Sequence, residues 1–232
     1  MEIVPYNKKF QSYRPKKILL ISNINTGPSK HNIQSRKDML YDILDQSRIN
    51  CIINVASFNS INHMNELTLI HYDCIIYDLL DGGCEINNPT SEIENYLKNG
   101  GNILVTHDHL GYGLCPLLGL QFADHPIRIH KEAINVSSKH EIWNSYYSLN
   151  TMDNLIINVC DTHGNYNISN KETIQLMHSN DSNNDLYLSV RHLGKGKAVY
   201  WNAGHTPIIT PDEKRLFLNI MTWILDLNLN ES

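Results

Sequence analysis

Short apolar runs punctuate the first half of the chain. Ile18-Leu19-Leu20-Ile21, Cys74-Ile75-Ile76-Tyr77 and Ile103-Leu104-Val105 are apolar without alternation, the pattern of parallel strands covered on both faces. They predict strands over 17–23, 73–79 and 102–106, and a further one over 51–56. Between them lie segments with helical spacing. One runs over 32–47, with Ile33, Met39, Leu40, Ile43 and Leu44 on one face. Another runs over 91–99, entered through Asn88-Pro89, turning Ile93, Tyr96 and Leu97 inward and stopped by Gly100-Gly101; these are cap, first-turn and terminator signals. Strands alternating with helices at this spacing predict an α/β protein with a mostly parallel, doubly wound sheet flanked by helices.

The second half is less regular. Strand signal falls at 127–134, 155–160, 173–178 and 186–190, and a helical turn or two at 139–147. Residues 185–203 read as a hairpin turning at Gly194-Lys195-Gly196, so the later strands include antiparallel pairs. A closing helix over 211–227 gathers Phe217, Ile220, Met221, Ile224 and Leu225 on one side, with Asp212-Glu213 in its first turn, where the helix dipole favours acids. Residues 1–15 read as a polar arm, and 16–229 as a single α/β domain. Trp143, Trp201 and Trp223 stand in apolar surroundings and are expected in the core.

Composition narrows the classes. The hydrophobic share is 41% and the charged share 19%, ordinary for a globular chain, and a net charge of -5 without a Lys/Arg stripe argues against nucleic acid as a partner. No apolar run approaches the roughly 20 residues that span a bilayer, and the first residues carry no signal-peptide core, so no membrane partner and a cytoplasmic location are expected. Cys51, Cys74, Cys84, Cys115 and Cys160 are widely spaced without a C-x-x-C, which suits reduced thiols; Cys51, Cys74 and Cys160 lie in apolar runs and read as core.

Ligands of an open parallel sheet bind beyond the carboxyl ends of its strands. The residues expected there are Asn23 and Asn25 after the first strand, Asp78 and Asp81 after the third, Thr106-His107-Asp108-His109 after the fourth, and Asn202 with His205 after the last long one. His107, Asp108, His109 and His205 are the candidate catalytic residues, able to work as a His/Asp acid-base pair or to hold a divalent metal with an open position for water. None of the 12 histidines sits in a fixed-spacing metal motif, and the bland reading, in which the pair hydrogen-bonds at the sheet edge and holds a loop, stands beside the sharp one. Asn23, Asn25, Asp78, Asp81, Thr106 and Tyr112 are the candidate substrate-binding residues. Asp81 before Gly82-Gly83 also reads as a turn former, and Tyr112 as packing on its own loop.

The run Gly100-Gly101-Asn102-Ile103-Leu104-Val105-Thr106-His107-Asp108-His109, followed late in the chain by Gly194-Lys195-Gly196-Lys197, a strand, Gly204-His205-Thr206 and a helix with Trp223 near its end, resembles the class I glutamine-amidotransferase-like fold, a flavodoxin-like three-layer sandwich. Within that group it resembles the ThuA-like, trehalose-utilisation proteins, as does Glu141-Ile142-Trp143. The likeness covers about two-thirds of the chain by inspection of these motifs and implies a small-molecule site, with a carbohydrate as the ligand class.

The departures bear on chemistry. Amidotransferases of this fold use an elbow cysteine and a late His-x-Glu pair, because the thiolate is generated beside a base that a carboxylate orients. Here the elbow reads His107-Asp108-His109, Cys115 comes several residues later beside Pro116, and His205 precedes Thr206-Pro207. The expectation is a ThuA-like protein that is not a glutaminase. Two alternatives stay open: a non-catalytic binding or assembly module, and a metal-dependent hydrolase built on His107, His109 and His205. The expected partners are a small-molecule ligand and a further copy in a homo-oligomer; no cofactor is required, and a divalent metal is the one compatible with these residues.

Overall fold

A computed structural model describes residues 9–10, 14–22, 33–61, 64–78, 91–106, 111–123, 131–135, 139–149, 155–157, 165–179, 185–202, 210–227 and 229–230. In chain order the elements are β1 (Lys9–Phe10), β2 (Lys16–Ser22), α1 (Ile33–Gln46), β3 (Cys51–Ala56), α2 (Phe58–Ile61), α3 (Glu66–Leu69), β4 (Cys74–Asp78), α4 (Ser91–Lys98), β5 (Ile103–Thr106), α5 (Gly111–Leu118) and β6 (Leu120–Ala123). They continue with β7 (Lys131–Asn135), a 3-10 turn at Glu141–Asn144, β8 (Leu155–Ile157), β9 (Asn165–Ile168), β10 (Ile174–Ser179), β11 (Leu186–Leu193), β12 (Gly196–Trp201), α6 (Pro211–Ile224) and β13 (Leu229–Asn230).

One nine-stranded sheet in the order β3-β2-β4-β5-β12-β11-β10-β7-β8 organises the molecule. Its first five strands are mutually parallel. β12 then turns back antiparallel into β11, and β10, β7 and β8 extend the sheet antiparallel. The uninterrupted apolar runs of β2, β4 and β5 are buried along their centres because helices cover both faces. On one face Ile18, Leu20, Ile76, Leu104, Val199 and Trp201 pack with α1 and α6; on the other Leu19, Ile21, Ile75, Tyr77, Val105 and Tyr200 pack with α4 and α5. This is the α/β sandwich that the strand spacing predicts.

Local chemistry fixes the elements. α4 buries Ile93, Tyr96 and Leu97 as its periodicity requires, and ends where Gly100 takes φ of 106°, a backbone conformation that favours glycine. The β11–β12 hairpin turns at Gly194, with φ of 64°. At Gly196 a Cβ would stand 2.1 Å from the carbonyl oxygen of Gly101, so a residue without a side chain lets β12 close against the start of β5. α6 opens with a capping box: the Thr210 hydroxyl accepts from the Glu213 N–H at 3.1 Å and the Glu213 carboxylate accepts from the Thr210 N–H at 2.8 Å.

Several elements lie where the sequence pattern is weak. α5 contains two glycines and Pro116, poor helix formers, and is held from outside: Arg191 Nη1 donates to the carbonyls of Pro116 and Leu117 at 2.7 and 3.2 Å, and the Thr173 hydroxyl donates to that of Leu118 at 2.9 Å. β6 pairs with β9, and β1 with β13, so part of the amino-terminal arm takes up strand structure. The segment 139–149 is locked onto α6 by Asn219, whose side chain accepts from the Tyr147 N–H at 2.7 Å and donates to the carbonyls of Ile142 and Tyr147 at 2.7 and 3.0 Å. Trp143 and Trp201 are fully buried and Trp223 nearly so. Cys51 and Cys74 are core residues, while Cys160 lies outside the described residues.

Candidate functional site

The carboxyl ends of the parallel strands bring four residues into one row. The register places Ser22 beside Asp78, Asp78 beside Thr106, and Thr106 beside Trp201. Asp78 closes an otherwise apolar strand and is 1% exposed; a carboxylate that deep needs a partner. Arg36, on the first turn of α1 and also buried, supplies it. Its Nε donates to one Asp78 oxygen at 2.7 Å and its Nη2 to the other at 3.0 Å, a two-pronged geometry that only a guanidinium offers. The Thr106 hydroxyl donates to Asp78 Oδ1 at 3.0 Å.

The same edge carries polar groups that find no hydrogen-bond partner among the described residues. These are Arg36 Nη1, Trp201 Nε1 and both side-chain amide atoms of Asn202, all buried. Asn202 directly follows β12; its backbone N–H donates to the Tyr187 carbonyl at 2.8 Å, yet its amide, at 0% exposure, makes no hydrogen bond among the described residues. Buried polar atoms are bonded in more than about nine cases in ten; these unmet groups lie at the ends of the central strands, while Trp143 Nε1, Arg191 Nε and Thr222 Oγ1 are unmet elsewhere among the described residues. Charge is balanced where Arg36 meets Asp78, and the unmet groups are donors and an amide carbonyl.

Of the residues expected at this edge from sequence, Asp78 and Thr106 lie in direct contact. Tyr112 falls in the first turn of α5, its side chain outside what is described. Asn23, Asn25, Asp81, His107, Asp108, His109 and His205 lie outside the described residues. Among the described residues no group of three or more His, Cys, Asp or Glu is arranged to hold a metal. Cys115 sits half-buried on α5, and burial pushes its thiol pKa up to about 11, so it is a protonated thiol at neutral pH, the wrong state for a nucleophile. Arg36 is the member of this cluster that sequence reasoning missed. Its signal was indirect: a lone aspartate ending an apolar strand calls for a cation.

A concavity of about 260 Å³ lies at the amino edge, between Lys16, Tyr72, Asp73, Tyr96, Asn102 and Asp226 among others. Its chemistry is spent internally. Asp73 accepts from Arg14 and from the Lys17 N–H, both at 2.8 Å, and the Asn102 amide bridges the Asp73 carbonyl and the Lys197 N–H, both at 3.0 Å.

Comparison with solved structures identifies the fold. A ThuA-like protein from Parabacteroides merdae superposes with a TM-score of 0.64 at 14% identity, covering 94% of this chain and 93% of the other. A cytoplasmic protein from Salmonella typhimurium gives 0.62 at 16% identity, covering 90% and 99%. A β-galactosidase from Rahnella gives 0.59 at 14% identity, where 93% of this chain matches 32% of the enzyme. No protein-family model matches the chain, and neither does any curated protein sequence. The chain therefore has the fold of the ThuA-like structures, a mostly parallel α/β sandwich. Among the described residues no helix is long and apolar enough to cross a membrane.

Proposed function

We propose that the protein binds a neutral, hydroxyl-rich small molecule of the carbohydrate class at the carboxyl edge of its parallel strands, and that it is not a glutaminase. The observation that carries this reading is the coincidence, at one edge, of a charge-balanced Arg36–Asp78–Thr106 cluster with the unbonded Arg36 Nη1 and Asn202 amide. A sugar offers hydroxyls that both donate and accept, matching that set without bringing net charge into a buried site. The fold's occurrence within a β-galactosidase supports the same ligand class. The elbow sequence His107-Asp108-His109, without a cysteine, and the raised thiol pKa of Cys115 support the second part of this reading. We infer a cytoplasmic location from the Salmonella neighbour.

The test is calorimetric binding of a panel of neutral mono- and disaccharides, a uronic acid and glutamine to the purified protein and to Asn202→Ala. Neutral sugars should bind, with affinity reduced at least about tenfold in the variant, the scale of one lost hydrogen bond. A wild-type protein that binds no sugar, or a variant that binds as well as wild type, overturns the reading.

A further inference from the structure

α5 starts at the carboxyl edge, where Gly111 follows shortly after β5 ends at Thr106, and runs back over β12 and β11. It has little cohesion of its own. Glycine and proline are the weakest helix formers, and Pro116, without an N–H, gives nothing to the Tyr112 carbonyl, which the fourth residue on would bond in a regular helix. The far end is gripped from outside. Arg191 stands on β11 level with Ala198 and with Ile103, where β5 begins, whereas Leu188 is level with Trp201 and Thr106 at the carboxyl edge. Those levels are three residues of strand apart, about 10 Å. From there the buried Arg191 Nη1 donates to the Pro116 and Leu117 carbonyls at 2.7 and 3.2 Å, placing a cation at the negative end of the helix. Its Nη2 lies 3.5 Å from the mostly exposed Glu172 carboxylate.

We propose that Arg191 is a positioning residue for the carboxyl edge: it fixes the carboxyl end of α5, and through the helix it places the amino end that stands at the same edge as Thr106 and Asn202. The proposal rests on the ligand reading given above. Because α5 lacks internal cohesion, releasing its last turn frees the whole helix, and the wall of a binding site must be held to a fraction of an ångström to keep its affinity. Arg191 touches no ligand in this scheme and acts only through α5.

Arg191→Met keeps the aliphatic stem, removes the donors and strands no buried charge. Site-resolved alkylation of Cys115, half-buried on α5, reads the helix without a ligand; calorimetric titration with the neutral sugar that binds wild type most tightly reads the edge. Both are measured where circular dichroism shows every variant fully folded, so that lost global stability does not enter. Arg191→Met should label at least about tenfold faster at Cys115 and bind the sugar at least about tenfold more weakly. Arg191→Lys, a point charge in place of a fork, should fall between, and carries the same test if Arg191→Met does not fold. Pro116 is exposed, and Pro116→Ala gives the Tyr112 carbonyl its donor. Added to Arg191→Met, it should return both readings most of the way to wild type although no contact of Arg191 is restored. Unchanged labelling, faster labelling without weaker binding, or no recovery in the double variant overturns the proposal while wild type still binds sugar. A wild-type protein that binds none of the sugars is a different result, which overturns the ligand reading and the proposal with it.

Discussion

Arg36 and Asp78, 42 residues apart in sequence, meet as a buried pair in which the guanidinium holds both carboxylate oxygens. The contact ties the first turn of α1 to the end of β4, so it couples helix docking to the shape of the carboxyl edge. Removing one partner leaves the other charge buried alone, which costs about 3–5 kcal/mol. Asp78→Ala should show that loss in urea unfolding, and Arg36→Met combined with Asp78→Leu should recover most of it while abolishing sugar binding.

Two fully buried asparagines provide an internal contrast. Asn219 accepts one hydrogen bond and donates two through its side chain, whereas the amide of Asn202 makes none among the described residues. Asn219→Ala should cost about 2–4 kcal/mol, since it orphans the groups that hold 139–149. Asn202→Ala should cost under about 1 kcal/mol, because the lost packing is offset by relief of an unmet desolvation penalty. Equal losses in thermal unfolding would remove Asn202 from the ligand edge.

His140 gives a pH dependence with a defined sign. Its Nδ1 accepts from the Ile142 N–H at 3.3 Å and its ring packs edge-on against Trp223. Burial pushes its pKa below the ordinary 6.5, with His192 and Lys197 lowering it further and Glu141 opposing. The unfolded chain therefore takes up this proton first as pH falls. The stability contribution is complete above about 6.5 and declines through the window between that value and the folded pKa. His140→Asn keeps a cap acceptor but no titrating ring, and its stability between pH 5 and 7 should vary less than that of wild type.

The legibility of this fold followed burial. Strands covered on both faces, β2, β4 and β5, announce themselves as apolar runs, and the hairpin and α4 carry glycines where the backbone turns. α5, β6 and β9 were not legible, because their stability comes from tertiary contacts such as Arg191 on the α5 carbonyls. The site divided in the same way. Asp78 and Thr106 were readable from their place at strand ends, but Arg36 lies in Gln34-Ser35-Arg36-Lys37, which reads as the solvent face of a helix. Only the three-dimensional approach of α1 to β4 distinguishes it from its neighbours.

A chelator separates the carbohydrate reading from the metal reading of His107, His109 and His205. The proposed sugar binding through Arg36, Thr106 and Asn202 would require no ion, so prolonged dialysis against EDTA should leave calorimetric affinity within about twofold of the untreated protein, inside the scatter of such free energies. Loss of binding on chelation, restored by zinc, would favour the metal site instead.

The reversal of direction at β12 also shapes how the chain assembles. β11 and β12 meet through a turn at Gly194, a local closure that forms in about 1–10 μs. Joining β12 to β5 spans much more chain, as the Asn102–Lys197 hydrogen bond across 95 residues shows, and that closure is repaid only when the strands pair. The hairpin can therefore be in place before the parallel half arrives, offering β5 a preformed edge on which to dock. The junction with Gly196 becomes the seam where an early-forming, local part of the chain receives a late, non-local one.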